Sequence, residues 1–285
     1  MSRHQIPEFV AIGHIAKDIV PGGFAIGGTV AYASITARNL GKRAGIITCI
    51  GDDLPFEAVE EALAGIEVVQ IKSPMTTTFQ NIYLDGSREQ YVRAIARKIQ
   101  PADVPYRWRK VPIVLIGPIA QEVDEAVVDL FQDSLIGVTP QGWMRQWDER
   151  GKVHQCPWEG AHRILPKVDV LVFSEEDVKG NIEIAEEYAR LTRIVVLTQA
   201  WKGATVYYQG QKRQFPARAA LEVDPTGAGD VFAAAFLIHL HDSGDPWESA
   251  RFANVVASFS IEKPGTKGIP ERETVEEWLE KYGWP

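Results

Sequence analysis

The stretch best equipped for chemistry is Glu222-Val223-Asp224-Pro225-Thr226-Gly227-Ala228-Gly229-Asp230-Val231-Phe232. Small residues at a loop-to-helix junction let backbone N–H groups point into one shared space. The first turn of the following helix has no internal partners for its N–H groups, and its dipole favours an anion there. The carboxylate of Asp230 stands at the mouth of the same site. An anion cradle beside a carboxylate is what phosphoryl transfer to an alcohol requires. Gly227, Ala228 and Gly229 would hold the charge of the transferred group, and Asp230 would accept the hydroxyl proton. An ordinary aspartate is already ionised near pH 7, so Asp230 is expected to need no shifted pKa. A plainer reading is a glycine-rich turn whose aspartate caps a helix.

Elements of a definite kind are needed to position these residues. Phe9–Ile12, Ala44–Ile50, Ile113–Ile116, Val170–Phe173 and Ile194–Thr198 are short, β-branched and apolar on both faces, which predicts buried strands. Between them lie helical patterns over Thr29–Leu40, Phe56–Ala64, Asp124–Gln132 and Ile182–Arg190. Strand–helix alternation predicts a mostly parallel sheet with helices on both faces, in one main domain spanning 1–285. Two places break the rhythm. Phe79–Leu84, Asp85-Gly86 and Arg88–Ala94 read as a hairpin, because Asp-Gly supplies a turn with positive φ. Val206–Tyr208 and Lys212–Phe215 read as a second hairpin. Toward the C-terminus, Val231–Leu240 is apolar nearly all round, which predicts a buried helix. Asp245-Pro246-Trp247-Glu248 starts another, with an acidic cap and Pro at its first position, and Thr274–Tyr282 reads as a surface helix.

Composition narrows the function. The chain has 285 residues and a formal net charge of -8, which argues against general affinity for nucleic acid or an anionic membrane. Its two cysteines, Cys49 and Cys156, lie far apart, so a disulfide framework is excluded and a reducing, cytoplasmic setting is expected. The opening MSRHQIPEF has no apolar core of a signal peptide, and the apolar run Val231–Ile238 is far short of the ~18 residues of a membrane span. The P-loop string G-x-x-x-x-G-K-[ST] and a Rossmann G-x-G-x-x-G after the first strand are both missing. His154, Cys156 and His162 lack a fourth ligand and are not read as a metal site, and Trp143, Trp147 and Trp158 are expected to form a packed cluster.

The string Asp224-x-Thr-Gly-Ala-Gly-Asp230-x-Phe232 resembles the C-terminal signature of the ribokinase-like (PfkB) carbohydrate kinases. The resemblance implies that Asp230 is the catalytic base and Gly227–Gly229 the anion hole. It extends along most of the chain. Gly13–Asp18 looks like the family's first strand ending in a sugar-binding aspartate, and Gly27-Gly28 like its glycine pair beside the substrate. Gly51-Asp52-Asp53 looks like its GxD element, while Asn254 and Pro264-Gly265-Thr266 sit where the family flanks the nucleotide. Where the family's GGxxxNxA pattern has Asn, this chain has Tyr32. The NxxE element reads Ser174-Glu175-Glu176-Asp177, which implies Mg²⁺ held at Asp177 through water. The TxGxxG nucleotide element reads Thr198-Gln199-Ala200-Trp201-Lys202-Gly203.

The segment Thr139–Arg145 replaces the family's DxNxR, with Gln141 and Arg145 facing the substrate and Arg145 suited to phosphate oxygens. With Thr77–Tyr83 and the Ser174–Asp177 variant, it is similar to the branch containing plant myo-inositol kinases.

The implied fold is α/β and ribokinase-like, with a small β-lid formed mainly by the 76–95 hairpin. Phe79 and Asn81 on that hairpin are candidate acceptor contacts, and Gly22-Gly23 a hinge or a turn. The implied reaction is ATP-dependent phosphorylation of a small sugar or polyol, in a monomer or homodimer. A monovalent cation such as K⁺ would sit near Asp224 and Thr226, the latter also beside the nucleotide. Nucleoside or vitamin acceptors, a weakly catalytic sugar- or nucleotide-binding regulator, and a distant Rossmann-type oxidoreductase are the alternatives.

Overall fold

Residues 6–84 and 87–284 are described by the computed structural model. Its strands are β1 (Phe9–Ile12), β2 (Ala16–Val20), β3 (Gly23–Gly27), β4 (Ala44–Gly51), β5 (Glu67–Ser73), β6 (Thr77–Leu84), β7 (Ser87–Ala94), β8 (Ile113–Ile116), β9 (Leu135–Val138), β10 (Arg145–Trp147), β11 (Val153–Gln155), β12 (Val170–Ser174), β13 (Ile194–Thr198), β14 (Ala204–Tyr208) and β15 (Gln211–Phe215). The α-helices are α1 (Thr29–Asn39), α2 (Phe56–Ala62), α3 (Ala161–Ile164), α4 (Glu183–Tyr188), α5 (Ala228–Ser243), α6 (Pro246–Ser260) and α7 (Arg272–Tyr282).

Among the described residues, nine strands form the main sheet in the order β15-β14-β13-β12-β9-β8-β1-β4-β5. Pairing is parallel from β5 to β13, and the 204–215 hairpin adds two antiparallel strands at one edge. Alternation explains the continuous apolar strands. In β1, Phe9 and Ala11 enter one core with α1, α5 and α6, while Val10 and Ile12 enter the other with Trp108, Phe131 and Trp158. The chain moves outward from β1 through β4 to β5, then returns to place β8 on the other flank of β1. That reversal opens a crevice at the carboxyl ends of β1 and β8, where open α/β sheets bind ligands.

The apolar run after Asp230 becomes α5, packed against α1 and α6 and across β8, β9 and β12. Gly137 permits this close approach, because a Cβ there would collide with Leu237. The next helix begins as its sequence predicts: Asp245 accepts from the N–H groups of Trp247 and Glu248, with Pro246 first in α6.

Two expectations need correction, the 124–132 helix and the cluster of three tryptophans. The 76–95 hairpin does not stand alone: it is half of a second, four-stranded sheet in the order β3-β2-β6-β7. Pro21 and Gly22 join β2 to β3, with Gly22 at φ 83° and Gly23 opening β3 opposite Val20, so of the hinge and turn readings the turn is present. Asp124–Gln132 is a 3-10 helix over Glu125–Leu130, with the Asp124 side chain accepting from Ala126 N–H. The Asp85-Gly86 turn lies outside the described residues. Trp143 and Trp158 do stack, with ring centroids 5.1 Å apart, but Trp147 packs instead beneath the lid.

Candidate active site

Small residues cut the floor of the crevice. A Cβ on Gly13 would strike the Gly117 carbonyl, and one on Gly117 would strike Thr29. Thr29 opens α1, directly after Gly28, whose φ of 89° and close approach to the His14 carbonyl admit no side chain. The hydroxyl of Thr29 lies near enough to the carboxylate of Asp230 to favour its charged form. Thus the glycine pair and the aspartate, 202 positions apart from Gly28 to Asp230, come together beside a threonine that no motif singles out. Its signal was a hydroxyl residue at a helix start, a pattern more often met as a cap. The nearby Thr139 hydroxyl is buried and has no hydrogen-bond partner among the described residues.

Asp230 is the third residue of α5. Gly227 precedes the helix at φ 77° and ψ 0°, and no side chain caps it. Ala228 N–H turns back to the Pro225 carbonyl at 3.2 Å. The N–H groups of Gly229 and Asp230 are therefore the first-turn donors left for an anion. A Cβ on Gly229 would touch nothing within 4 Å, so open space lies above this turn. Burial of the Asp230 carboxyl pushes its pKa up to about 6, against the opposing Thr29 hydroxyl and Arg145 charge; the negative charge of Asp177 adds to the rise. The expectation of an unshifted aspartate is corrected: its desolvation outweighs its partners.

Tyr32 fills the family's asparagine position and is nearly buried. Its ring lies so close to Gly227 that a Cβ there would collide with it. Burial raises the Tyr32 phenol pKa, and Asp224, Asp230 and Asp18 raise it further. Carboxylates from two segments, Asp18 on one and Asp224 and Asp230 on the other, thus act on one phenol, which stays protonated. Asp18, on β2, packs against Gly27 on β3, where a Cβ would collide with its carboxylate. Asp53 of the GxD element ties β2 to the start of β6: it takes the Lys17 ammonium at 2.9 Å and Thr76 N–H at 2.8 Å. Burial opposes ionisation of Asp53, but these partners hold its carboxyl below the usual range.

Asp177 accepts from both the N–H (2.9 Å) and the hydroxyl (2.8 Å) of Ser174, and from the Gln141 amide at 3.3 Å. Those bonds fix the carboxylate while Gln141 ties it to the loop that ends at Arg145. Arg145 donates to the Ile119 carbonyl at 3.2 Å and lies near enough to Asp230 to bias its ionisation. Two carboxylates close enough to influence each other, Asp177 and Asp230, make an oxygen-rich site that fits a hydrated Mg²⁺. Among the described residues, no group of three or more His, Cys, Asp or Glu residues forms a metal cluster, at His154, Cys156 and His162 or elsewhere.

Other candidates serve the framework. Asn254 is buried, and its amide donates to the carbonyls of Phe215 (3.0 Å) and Pro216 (3.2 Å), so its donor group is turned to the 215–216 segment. Gly203, at φ 89°, presses on that segment, with no room for a Cβ. Thr198 donates to the Phe173 carbonyl at 3.4 Å. Asp224 accepts from Thr226 N–H at 3.0 Å and Gly265 N–H at 2.8 Å, holding the 264–266 loop against the signature. Phe79 is buried with Ala16, Val92, Ile119 and Ala120, and so backs the wall of the cleft. The Asn81 side-chain oxygen accepts from Gln90 at 3.2 Å across the lid strands.

The sequence pattern of the pfkB family carbohydrate kinases matches residues 154–272. A cytidine kinase of Thermococcus kodakarensis is 28% identical over 245 residues, covering 81% of this chain and 87% of that protein. An inositol 3-kinase of Oryza sativa subsp. japonica is 25% identical, over 96% of this chain and 74% of that protein. The fold is similar to that of a pyrophosphate-dependent kinase in the ribokinase family, solved with a pyrophosphate analog and myo-inositol. The TM-score is 0.80 at 24% identity, covering 94% of this chain and 99% of that one. It is also similar to a ribokinase of Arabidopsis thaliana complexed with ribose and ATP, with a TM-score of 0.73 at 19% identity over 96% and 99% of the two chains. No helix among the described residues is long and apolar enough to cross a membrane.

Proposed function

We propose that this chain, which belongs to the pfkB carbohydrate kinase family and is a phosphotransferase acting on an alcohol group, passes the γ-phosphoryl of ATP to a hydroxyl of a small polyol or sugar, with an inositol-like ring as the favoured acceptor. One observation carries the assignment of roles. A carboxyl with pKa raised to about 6 stands in the first turn of an uncapped helix, beside open space above Gly229.

Asp230 takes the proton from the acceptor hydroxyl. The N–H groups of Gly229 and its own residue face the charge of the transferred group, and Arg145 balances that charge from the opposite loop. Asp18, braced by Gly27, orients the remaining hydroxyls, and the protonated Tyr32 phenol closes the wall between acceptor and cradle. Mg²⁺ at the oxygen-rich side, reached by Asp177, would neutralise the donor phosphates. Because such transition states are loose, positioning supplies much of the rate and proton removal matters late.

The inositol preference rests on the rice relative, on the myo-inositol in the similar structure and on Tyr32 in place of the family's asparagine. ATP follows the donor bound by the Arabidopsis ribokinase. A second donor reading, inorganic pyrophosphate, is favoured by the similar pyrophosphate-dependent enzyme and by the engagement of the Asn254 amide with Phe215 and Pro216. The cytidine kinase keeps nucleosides in the comparison.

The test is phosphorylation of myo-inositol, pentoses, hexoses and nucleosides with Mg-ATP or Mg-pyrophosphate, read as phosphate-ester formation. Inositol turnover with ATP that is lost in Asp230→Asn supports the proposal. Turnover only with nucleosides, or only with pyrophosphate, replaces the acceptor or the donor. No turnover across the panel leaves a binding protein and ends the kinase reading.

A further inference from the structure

Two buried ionisable side chains take no part in the steps above: His14, whose surface is wholly covered, and Glu122, only 2% exposed. His14 follows β1 at the entrance to the lid. Its Nε2 lies 3.0 Å from the Arg97 carbonyl, an acceptor that requires a proton on that nitrogen. Its Nδ1 lies 2.6 Å from the Thr77 hydroxyl. That hydroxyl already accepts from Ala96 N–H at 3.0 Å, which leaves its own proton for Nδ1. These bonds define a neutral Nε2–H tautomer, the state that burial also favours by lowering the His14 pKa.

The topology gives this ring its meaning. The chain crosses between body and lid before β2, after β3, before β6 and after β7. His14 belongs to the first crossing, Thr77 to the third, and Ala96 and Arg97 to the fourth. One imidazole and one hydroxyl therefore tie three of the four crossings together.

Glu122 joins that knot to the cleft wall. Its carboxylate accepts from His14 N–H at 3.1 Å, Ile119 N–H at 2.9 Å and Ala120 N–H at 2.6 Å. Ile119 and Ala120 pack on Phe79 and Val92 of the lid, and the Ile119 carbonyl receives Arg145. The His14 carbonyl also lies against Gly28, next to the Thr29 that favours the charged form of Asp230. A shift at the knot would thus move the lid base, the wall and the approach to Asp230 together.

We infer that His14, Thr77 and Glu122 are positioning residues that set the lid and the 119–120 wall for the acceptor, with the Thr77 hydroxyl as the pin. This deepens the functional reading above and rests on it for the identity of the acceptor site. The candidate nucleotide positions Thr198, Gly203 and Asn254 are built on other elements, so the effect on KM is expected at the acceptor.

The experiment uses the full chain with Thr77→Val, which keeps shape but removes the hydroxyl, and Thr77→Ser, which keeps the hydroxyl. In Thr77→Val the KM for myo-inositol, or for whichever acceptor the wild type uses, is expected to rise roughly tenfold, one buried hydrogen bond's worth. The donor KM should stay within about twofold, since no donor contact changes. Ligand-free amide exchange at residues 16–20 and 89–94 should speed up, and Thr77→Ser should restore both readouts. Should Thr77→Val fail to fold, Glu122→Gln, which presents an amide donor to backbone donors, must show the same KM split. Wild-type acceptor KM and lid exchange in Thr77→Val overturn the inference, as does equal loss of both KM values or failure of serine to rescue. The exchange readout needs no substrate, so it fails only with this inference. A wild type that phosphorylates nothing fails the functional reading instead.

Discussion

The raised pKa of Asp230 makes the general-base assignment measurable without any mutation. With a pKa of about 6 instead of 3.8, the carboxyl is roughly nine-tenths ionised at pH 7, half at pH 6 and one-tenth at pH 5. A base must be deprotonated to act, so turnover should rise with pH through about 6 and fall about tenfold from pH 7 to pH 5. An unshifted aspartate would remain about nine-tenths ionised at pH 5 and leave the profile flat. The same displacement affects stability. The folded state binds the proton more tightly than the unfolded chain, so stability is greatest below pH 4 on this account and is lost as pH rises toward 6. The loss at pH 7 is about 3 kcal/mol.

Asp230→Asn keeps an acceptor for Thr29 and removes the charge. It should lower kcat and kcat/KM together by about 10²–10⁴ while melting a few degrees higher at pH 7, a gap that closes toward pH 4. The assays are steady-state turnover from pH 5 to 8 and melting curves of both proteins across the same range. A flat acid limb in folded protein refutes the reasoning, as does an Asn variant that keeps more than about a tenth of wild-type turnover. A plain helix-cap role predicts the opposite signature, reduced stability with turnover kept.

Gly229→Ala places a Cβ in open space within a helix, so the protein should be stabilised by roughly 0.5–1 kcal/mol while turnover falls steeply; melting and kinetics on one sample check both. Removing the guanidinium in Arg145→Met lifts the charge that lowers the Asp230 pKa. Its acid limb should therefore move to higher pH in the same turnover profile, and an unmoved limb would detach Arg145 from the site. Asp18→Ala removes a charge-assisted acceptor for substrate hydroxyls, each such bond being worth roughly 1.5–3 kcal/mol. Calorimetric titration should show acceptor affinity lost with donor affinity intact, and the reverse pattern would place Asp18 on the donor side.

How much of this was legible followed from how local the causes are. The five parallel strands read from short apolar runs are present because both faces of each are buried, which leaves no polar alternation to confuse the pattern. Two strands of the second sheet, β2 and β3, were not legible for the opposite reason. Ala16–Val20 and Gly23–Gly27 carry a lysine, an aspartate and glycines, and β2 acquires its strand character partly by pairing with Phe79, 61 positions beyond Asp18. The length of the 3-10 segment after Asp124 was likewise misjudged, since apolar spacing marks a helical face without fixing the hydrogen-bond pattern.

The signature around Asp230 was readable because loop, helix start and carboxylate follow one another in eleven residues. Its electrostatics were not. They depend on Thr29, Arg145 and Asp177, which approach only when the carboxyl ends of separate strands and the start of α1 converge on α5. No spacing rule links positions 29, 145, 177 and 230, but the sheet order does, by placing β1, β8, β9 and β12 side by side beneath α5. The same sheet order explains why Tyr32, a plain departure from the family pattern in sequence, becomes the common neighbour of Asp18, Asp224 and Asp230. On the proposed function, a large protonated phenol there narrows the acceptor space and replaces an amide that would bond sugar hydroxyls, which argues against a ribose-specific site. Restoring the family residue in Tyr32→Asn should therefore broaden acceptor choice, with kcat/KM for inositol falling relative to ribose in a side-by-side panel. An unchanged ratio would remove Tyr32 from the acceptor contacts and leave its packing against Gly227 as its sole role.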